Sequence, residues 1–205
     1  MFESFQPLES RRLLSVTLEA GVLTVTGTDA ADQLGVGRSA TMIVVNDNGT
    51  SSEWDPAQIQ SIVVNGLGGN DQVTVVRPVG KPLTANGGEG DDALRGSAGR
   101  ERFLGDAGAD RLFGGGGGDQ LDAGADNDTV VGGPGADRML GGTGNDRFDA
   151  VDRDRDLVDG GEGEDSARLN RGDRAQNVEH VIVGPGNPTM ESDGEKSSDR
   201  IVELE

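Results

Sequence analysis

The sequence predicts an all-β chain: a right-handed parallel β-roll or β-solenoid with an N-terminal β cap. Three observations lead there. Residues 87–149 repeat every nine residues. Residues 15–86 hold short β-branched runs separated by turn signals, with no helical apolar spacing beyond a turn near Ala57 to Gln60. Hydrophobic residues are only 33 % and aromatics 3 % of the 205 residues, too few for an ordinary compact globule.

Aligned in nines, the central blocks read GGEGDDALR, GSAGRERFL, GDAGADRLF, GGGGGDQLD, AGADNDTVV, GGPGADRML and GGTGNDRFD. The sixth place is always acidic: Asp92, Glu101, Asp110, Asp119, Asp128, Asp137, Asp146. The eighth is always apolar: Leu94, Phe103, Leu112, Leu121, Val130, Met139, Phe148. The fourth is Gly except at Asp126, a residue type that also tolerates a left-handed backbone. After one extra residue, Ala150, the blocks VDRDRDLVD and GGEGEDSAR bring Asp156 and Asp165.

Each block is a six-residue turn followed by a short strand with one inward side chain. Two blocks make one flattened coil. Loops two blocks apart then stack on one edge. One edge collects Asp92, Asp110, Asp128, Asp146 and Asp165, the other Glu101, Asp119, Asp137 and Asp156.

Residues 15–86 form the β-rich cap, or wider coils of the same stack. Val22–Thr26, Thr41–Val45, Ile59–Val64 and Val73–Val76 are its strands, and Asn48-Gly49 marks a hairpin. Gly66 to Val73 echoes the repeat, with Asp71 at the sixth place; Gly27 to Leu34 does so less well, with Asp32 there. Trp54 reads as a core anchor. Residues 169–183 supply a capping strand, and 184–205 are a polar, acidic, disordered tail whose last residues can pair with an edge. Residues 1–14 are a leader or a disordered N-terminus.

The net charge is −19, from 37 acids and 18 bases. It rules out a basic nucleic-acid footprint. No apolar run has the length of a membrane span. Carboxylates stacked at about 4.8 Å repel by about 3 kcal/mol per pair at an effective dielectric of 20. A divalent cation between loops reverses that sign. Calcium suits it, since calcium takes six to eight oxygens in flexible geometry whereas magnesium demands tight octahedra. Zinc lacks its usual ligands, with no cysteine and one histidine. The candidate ligands are the carboxylates of Asp71, Asp92, Asp110, Asp119, Asp128, Asp137, Asp146, Asp156 and Asp165. Main-chain carbonyls join them from loops shaped by Gly87, Gly90, Gly105, Gly108, Gly114, Gly117, Gly132, Gly135, Gly141 and Gly144. Glu101, with a longer side chain and Arg100 beside it, is a weakened site. Asp156 sits in a block without glycine.

Blocks 87–95, 105–113, 114–122, 132–140 and 141–149 resemble the RTX (haemolysin-type calcium-binding) repeat family. The resemblance implies a parallel β-roll, several calcium ions held by the sixth-position Asp and loop carbonyls, and folding after export. PLESRRLL resembles the LEPR-x-LL leader of large exported proteins of planctomycete-type bacteria, which implies an extracellular or cell-surface destination.

Other motifs weigh little. Asp152, Asp154 and Asp156 open like an EF-hand, but Leu157 and Gly163 stand where its Gly and Glu belong. His180 has no nucleophile arranged around it. Arg171-Gly172-Asp173 is a short adhesion-like match. Gly114 to Gly118 lacks the Lys-Ser/Thr of a phosphate loop. The chain therefore reads as a binding module and not an enzyme. The alternative is an enzyme or accessory module acting on extracellular polysaccharide; the protein or polysaccharide partner is unnamed by the sequence.

Overall fold

The computed structural model describes residues 14–183 and the backbone of a short strand at 202–203. Apart from Leu14, the leader lies outside the described residues, as does the tail apart from that strand.

Two ten-stranded sheets face each other. Each coil gives one strand to each. In the first sheet Phe103 pairs with Leu121, Leu121 with Met139, Met139 with Val158 and Val158 with Ala175, all parallel. In the second the line runs Leu94, Leu112, Val130, Phe148, Ala167. These eighth-position residues are fully buried, so the inward line of the repeat is the core of the stack. Loops on one edge recur every 18 residues. The spacing becomes 19 across the inserted Ala150, which is itself buried. The extra residue is absorbed inside one turn, and the strand register survives it.

The same stack continues into the N-terminal half. Ser61–Gly68 pairs parallel with Leu83–Glu89, and Val22–Thr26 with Ser61–Gly68. In the second sheet Gln72–Val75 joins Ala93–Arg95 and Gln33–Arg38. These coils are wider and bury two side chains per strand: Leu23 and Val25, Leu34 and Val36, Ile62 and Val64, Val73 and Val75. A parallel stack left open would expose strand edges. Ser15–Glu19 covers one edge by antiparallel pairing with Val22–Thr26. The hairpin Ile43–Asp47 and Thr50–Trp54 covers the other. Its two-residue loop has Asn48 and Gly49 both at positive φ (43° and 86°), the primed turn that matches strand twist. Trp54 is half-buried against the core and donates its indole N–H to Ser52 Oγ. The turn near Ala57 is a 3-10 turn, Pro56–Gln58, capped by Asp55.

At the C-terminal end His180–Val183 pairs with Ser166–Leu169, and Val202–Glu203 runs antiparallel to Arg174–Gln176. Among the described residues no helix is long and apolar enough to cross a membrane.

Candidate metal centre

A single loop shows how the sequence builds the site. In 105–110 the chain runs along the strand Glu101–Ala107 through Gly105 and Asp106 (φ 76°), turns at Gly108 (φ 123°) and reaches Asp110. A Cβ on Gly105 would collide with Asp110 Oδ2 and the carbonyl of Ala123. The first glycine thus makes room for the carboxylate to turn back into its own loop. A Cβ on Gly108 would strike the carbonyl of Gly90 in the preceding loop. First-position Gly87, Gly114, Gly132 and Gly141 crowd their own Asp in the same way, and fourth-position Gly90, Gly117, Gly135 and Gly144 share the positive φ. Asp126 takes the glycine conformation at φ 80°, as its residue type allows.

The acids form two ladders. In the first, each Asp Oδ1 accepts the backbone N–H of the acid one coil earlier. Asp32 N–H donates to Asp71 (2.8 Å), Asp71 to Asp92 (2.7 Å) and Asp92 to Asp110 (2.7 Å). Asp110 then donates to Asp128 (2.7 Å), Asp128 to Asp146 (2.8 Å) and Asp146 to Asp165 (2.7 Å). Glu179 ends it by accepting from Asp165. In the second ladder Glu101 donates to Asp119, Asp119 to Asp137, Asp137 to Asp156 and Asp156 to Asp173.

One oxygen of each carboxylate is therefore spent on the ladder. The other is not. The Oδ2 atoms of Asp71, Asp92, Asp110, Asp119, Asp128, Asp137, Asp146, Asp156 and Asp165 are buried without a hydrogen-bond partner. An orphaned buried carboxylate oxygen carries a large desolvation penalty. Burial, opposed by the ladder N–H and reinforced by neighbouring acids, pushes Asp71, Asp110 and Asp128 up to about 7. Asp119 also rises to about 7, with the Arg100 guanidinium opposing the rise. Asp92, Asp137 and Asp165 rise to about 6 for the same leading reason. Asp156 rises to about 8, where Asp173, Asp152 and Asp137 add to burial.

These nine Asp residues are the same nine that the repeat pattern singles out. The block without glycine still places Asp156 in its ladder, fully buried. Glu101 differs. Its oxygens accept from Ser97 N–H (3.2 Å) and Ser97 Oγ (3.3 Å), closing its own loop. The pattern underplays Asp32 and misses Asp173 and Glu179. Asp32 accepts from Thr28 N–H and Asn48 Nδ2, and Asp173 from Asn170 N–H, so they end the ladders with protein donors. Asp173 is fully buried, which withdraws the adhesion-like tripeptide from display. Its signal was available, 17 residues after Asp156, one short of a coil. A further ladder is specific to the first edge: Asn70 Oδ1 accepts from Asp91, Asp91 Oδ1 from Ala109, Asn127 Oδ1 from Asn145 and Asn145 Oδ1 from Glu164.

The donor set decides the cation class. Among the described residues no three His, Cys, Asp or Glu side chains converge as a metal cluster. An ion held between loops would draw on the carboxylates of those loops and on their main-chain carbonyls, all of them oxygens. An all-oxygen, flexible, glycine-shaped cradle suits calcium and is poor for zinc or copper. The orphaned oxygens fit that ion: bound there, it would supply the positive charge that the buried carboxylates lack.

Residues 84–112 and 113–148 match the model of the RTX calcium-binding nonapeptide repeat, in four copies. Such repeats bind several calcium ions, and the β-solenoid they form is a structural calcium-binding fold. No curated protein matches the chain. The ladder geometry extends past the matched segment, to Asp71 on one side and Asp165 on the other.

Proposed function

We propose that this chain, whose residues 84–112 and 113–148 carry RTX calcium-binding repeats, is an extracellular or cell-surface module whose roll folds when it meets calcium. The ligands are the nine Asp residues from Asp71 to Asp165, with carbonyls of the glycine-shaped loops. The observation that carries the reading is the set of nine buried Oδ2 atoms without partners, stacked in two columns. Metal-free, the columns hold buried charge or must take up protons. With calcium between loops, binding free energy becomes folding free energy. Extracellular calcium modules work at about 0.1 to 1 mM, a range that keeps such a roll unfolded where calcium is scarce. The leader-like PLESRRLL supports the same destination.

Calorimetric titration with calcium, paired with circular dichroism in calcium and in EGTA, tests this. Several ions per chain and a calcium-dependent gain of β-signal are expected. Identical spectra in both conditions and no bound ion would sink it.

The polysaccharide-enzyme reading gains nothing from the groove on the outer face of the first sheet. A shallow groove of about 220 Å³ crosses the first sheet between Arg138, Leu157 and Arg174. Its one acid, Asp159, already accepts from Gln176 and Asn177. An acid–base pair of the glycosidase kind is absent from that groove.

A further inference from the structure

The ladder acids of the roll sit at the edges of the stack, while many of its arginines sit on the flats. The seventh place of each block points outward from its strand. On the second sheet that row runs Ala93, Arg111, Thr129, Arg147, Ser166, His180, one residue per strand in register. It carries an arginine or histidine at every second coil. The neighbouring outward row has Arg95 at one end and Arg168 near the other, with Phe113, Val131 and Asp149 between them. Asp149 is the one acid in these two rows, and Arg168 already neutralises it at 2.6 Å. The first sheet has a similar row through Arg102 and Arg138, but there the neighbouring row interposes Asp122 and Asp159. In a chain of net charge −19, the outer face of the second sheet is thus a cationic strip.

Its donors are unspent. Arg111 and Arg147 are exposed and make no hydrogen bond or ion pair among the described residues. Arg95 stacks on Phe113, 4.5 Å from the ring centroid, which orients the guanidinium without using its N–H groups. Such guanidinium donors pair bidentately with carboxylate and other oxyanions.

Strand spacing sets the rest. Strands lie about 4.8 Å apart, so Arg111 and Arg147 stand roughly 9.6 Å apart along the roll axis. That row is too sparse for a nucleic-acid duplex, whose charges come about every 1.7 Å. Phe113 and Val131 are half-buried, with little relief to insert into a lipid surface. A flat apolar strip beside spaced cations fits the C–H faces of sugar rings and the acidic groups they carry.

We propose that the outer face of the second sheet binds a linear acidic polysaccharide, laid along the roll axis across the strands. Its carboxylates or sulfates pair with Arg111 and Arg147, and its rings pack over Phe113 and Val131. The binding is without turnover, since the one acid of the face is held by Arg168. It goes beyond calcium binding and requires only the folded roll.

Affinity electrophoresis of the full chain through gels containing hyaluronate, run in calcium with folding checked by circular dichroism, tests it; dextran is the neutral control. Retardation by hyaluronate and not by dextran, relieved by added salt, is expected. Arg111→Gln with Arg147→Gln should weaken binding about ten-fold or more. Arg102→Gln with Arg138→Gln makes the same charge change on the opposite sheet and should leave binding within about two-fold. Equal loss in both double variants would reduce the effect to net charge and overturn the assigned face. No retardation of the folded wild type would overturn the proposal and leave the calcium reading, measured separately by calorimetry, standing. Binding to duplex DNA or to phosphatidylglycerol vesicles as tight as to hyaluronate would overturn the polysaccharide as the occupant.

Discussion

The N-terminal coils and the roll share one plan and satisfy it in opposite ways. In the N-terminal coils the parallel strands bury two apolar side chains each, such as Leu23 and Val25 or Leu34 and Val36. Their outermost acid, Asp32, is held by Thr28 N–H, Thr28 Oγ1 and Asn48 Nδ2, whereas Asp71, in the coil next to the roll, already keeps a free buried oxygen. In the roll most strands bury a single large side chain, such as Leu112 or Met139, and the acids keep a free buried oxygen. One ladder runs through both regions, from Asp32 to Asp165. What changes is who completes each rung. Side chains and amides complete it at Asp32. From Asp71 to Asp165 it stays open, and in the proposed function an ion from solution closes it.

Calcium removal should split the molecule along that line. In EGTA, amides of residues 87–169 should lose hydrogen-exchange protection, while those of the strands Val22–Thr26, Gln33–Arg38 and Ile43–Asp47 keep it. Uniform loss or uniform retention would break the comparison.

Acid should narrow the split. The metal-free Asp pKa values are raised by burial, to about 6 to 8 at Asp92, Asp110, Asp128 and Asp156. A group whose folded pKa lies above its unfolded value favours the folded state when protonated. That contribution is complete below the unfolded carboxylate range near 4 and is lost as pH rises through about 6 to 8. In EGTA, the roll should therefore keep more β-signal at pH 4.5 than at pH 8 (values set by those shifts, roughly). In saturating calcium the order reverses, because protons compete with the ion for the same oxygens. A metal-free roll insensitive to pH between these limits would contradict the buried, unpartnered carboxylates.

A core deletion reads the same contrast through packing. Phe148 is fully buried in a strand of three residues, with no second apolar residue in that strand. Phe148→Ala should cost about 3 to 5 kcal/mol in the calcium-loaded roll. It should raise the calcium midpoint of folding and leave protection in the N-terminal strands unchanged. Equal loss in both regions would mean that they unfold as one unit.

The period made most of this legible. Nine residues with an acid at the sixth place and an apolar residue at the eighth determine the coil, the inward line and the two columns. Asp156 was readable despite a poor block because register places it, and Asp71, 21 residues before Asp92 and so off the period, because residues 66–73 echo the block. The ends were harder. Asp32 lies 39 residues before Asp71, beyond any constant period, since the hairpin is inserted into that coil. Asp173 and Glu179 fall in shortened turns. Whether an acid is open or closed depends on a donor at a neighbouring position, Thr28, Ser97 or Asn170, and that is a matter of backbone geometry and not of period. Arg100 was half visible: the charge stood in the loop, but its place beside Gly118 and its opposition to the rise of Asp119 required the fold.

The smallest effect concerns the one fourth-position residue that is not glycine. Asp126 is exposed, at φ 80°, a conformation that costs a non-glycine residue about 1 kcal/mol. It also adds charge beside Asp128, whose carboxyl it helps to push up. Asp126→Gly relieves both in the folded, metal-free loop, but it removes a negative charge that attracts the ion. The two consequences separate by condition. Without calcium at low pH, the variant roll should be more stable by about 1 kcal/mol or less. With calcium, the gain should shrink or vanish as the lost attraction offsets the relieved strain. Thermal melts of both proteins in EGTA at acid pH and in calcium at neutral pH measure the difference. A gain that is larger in calcium than in EGTA would show that Asp126 opposes the ion, and would remove the charge half of this account while leaving the backbone half intact.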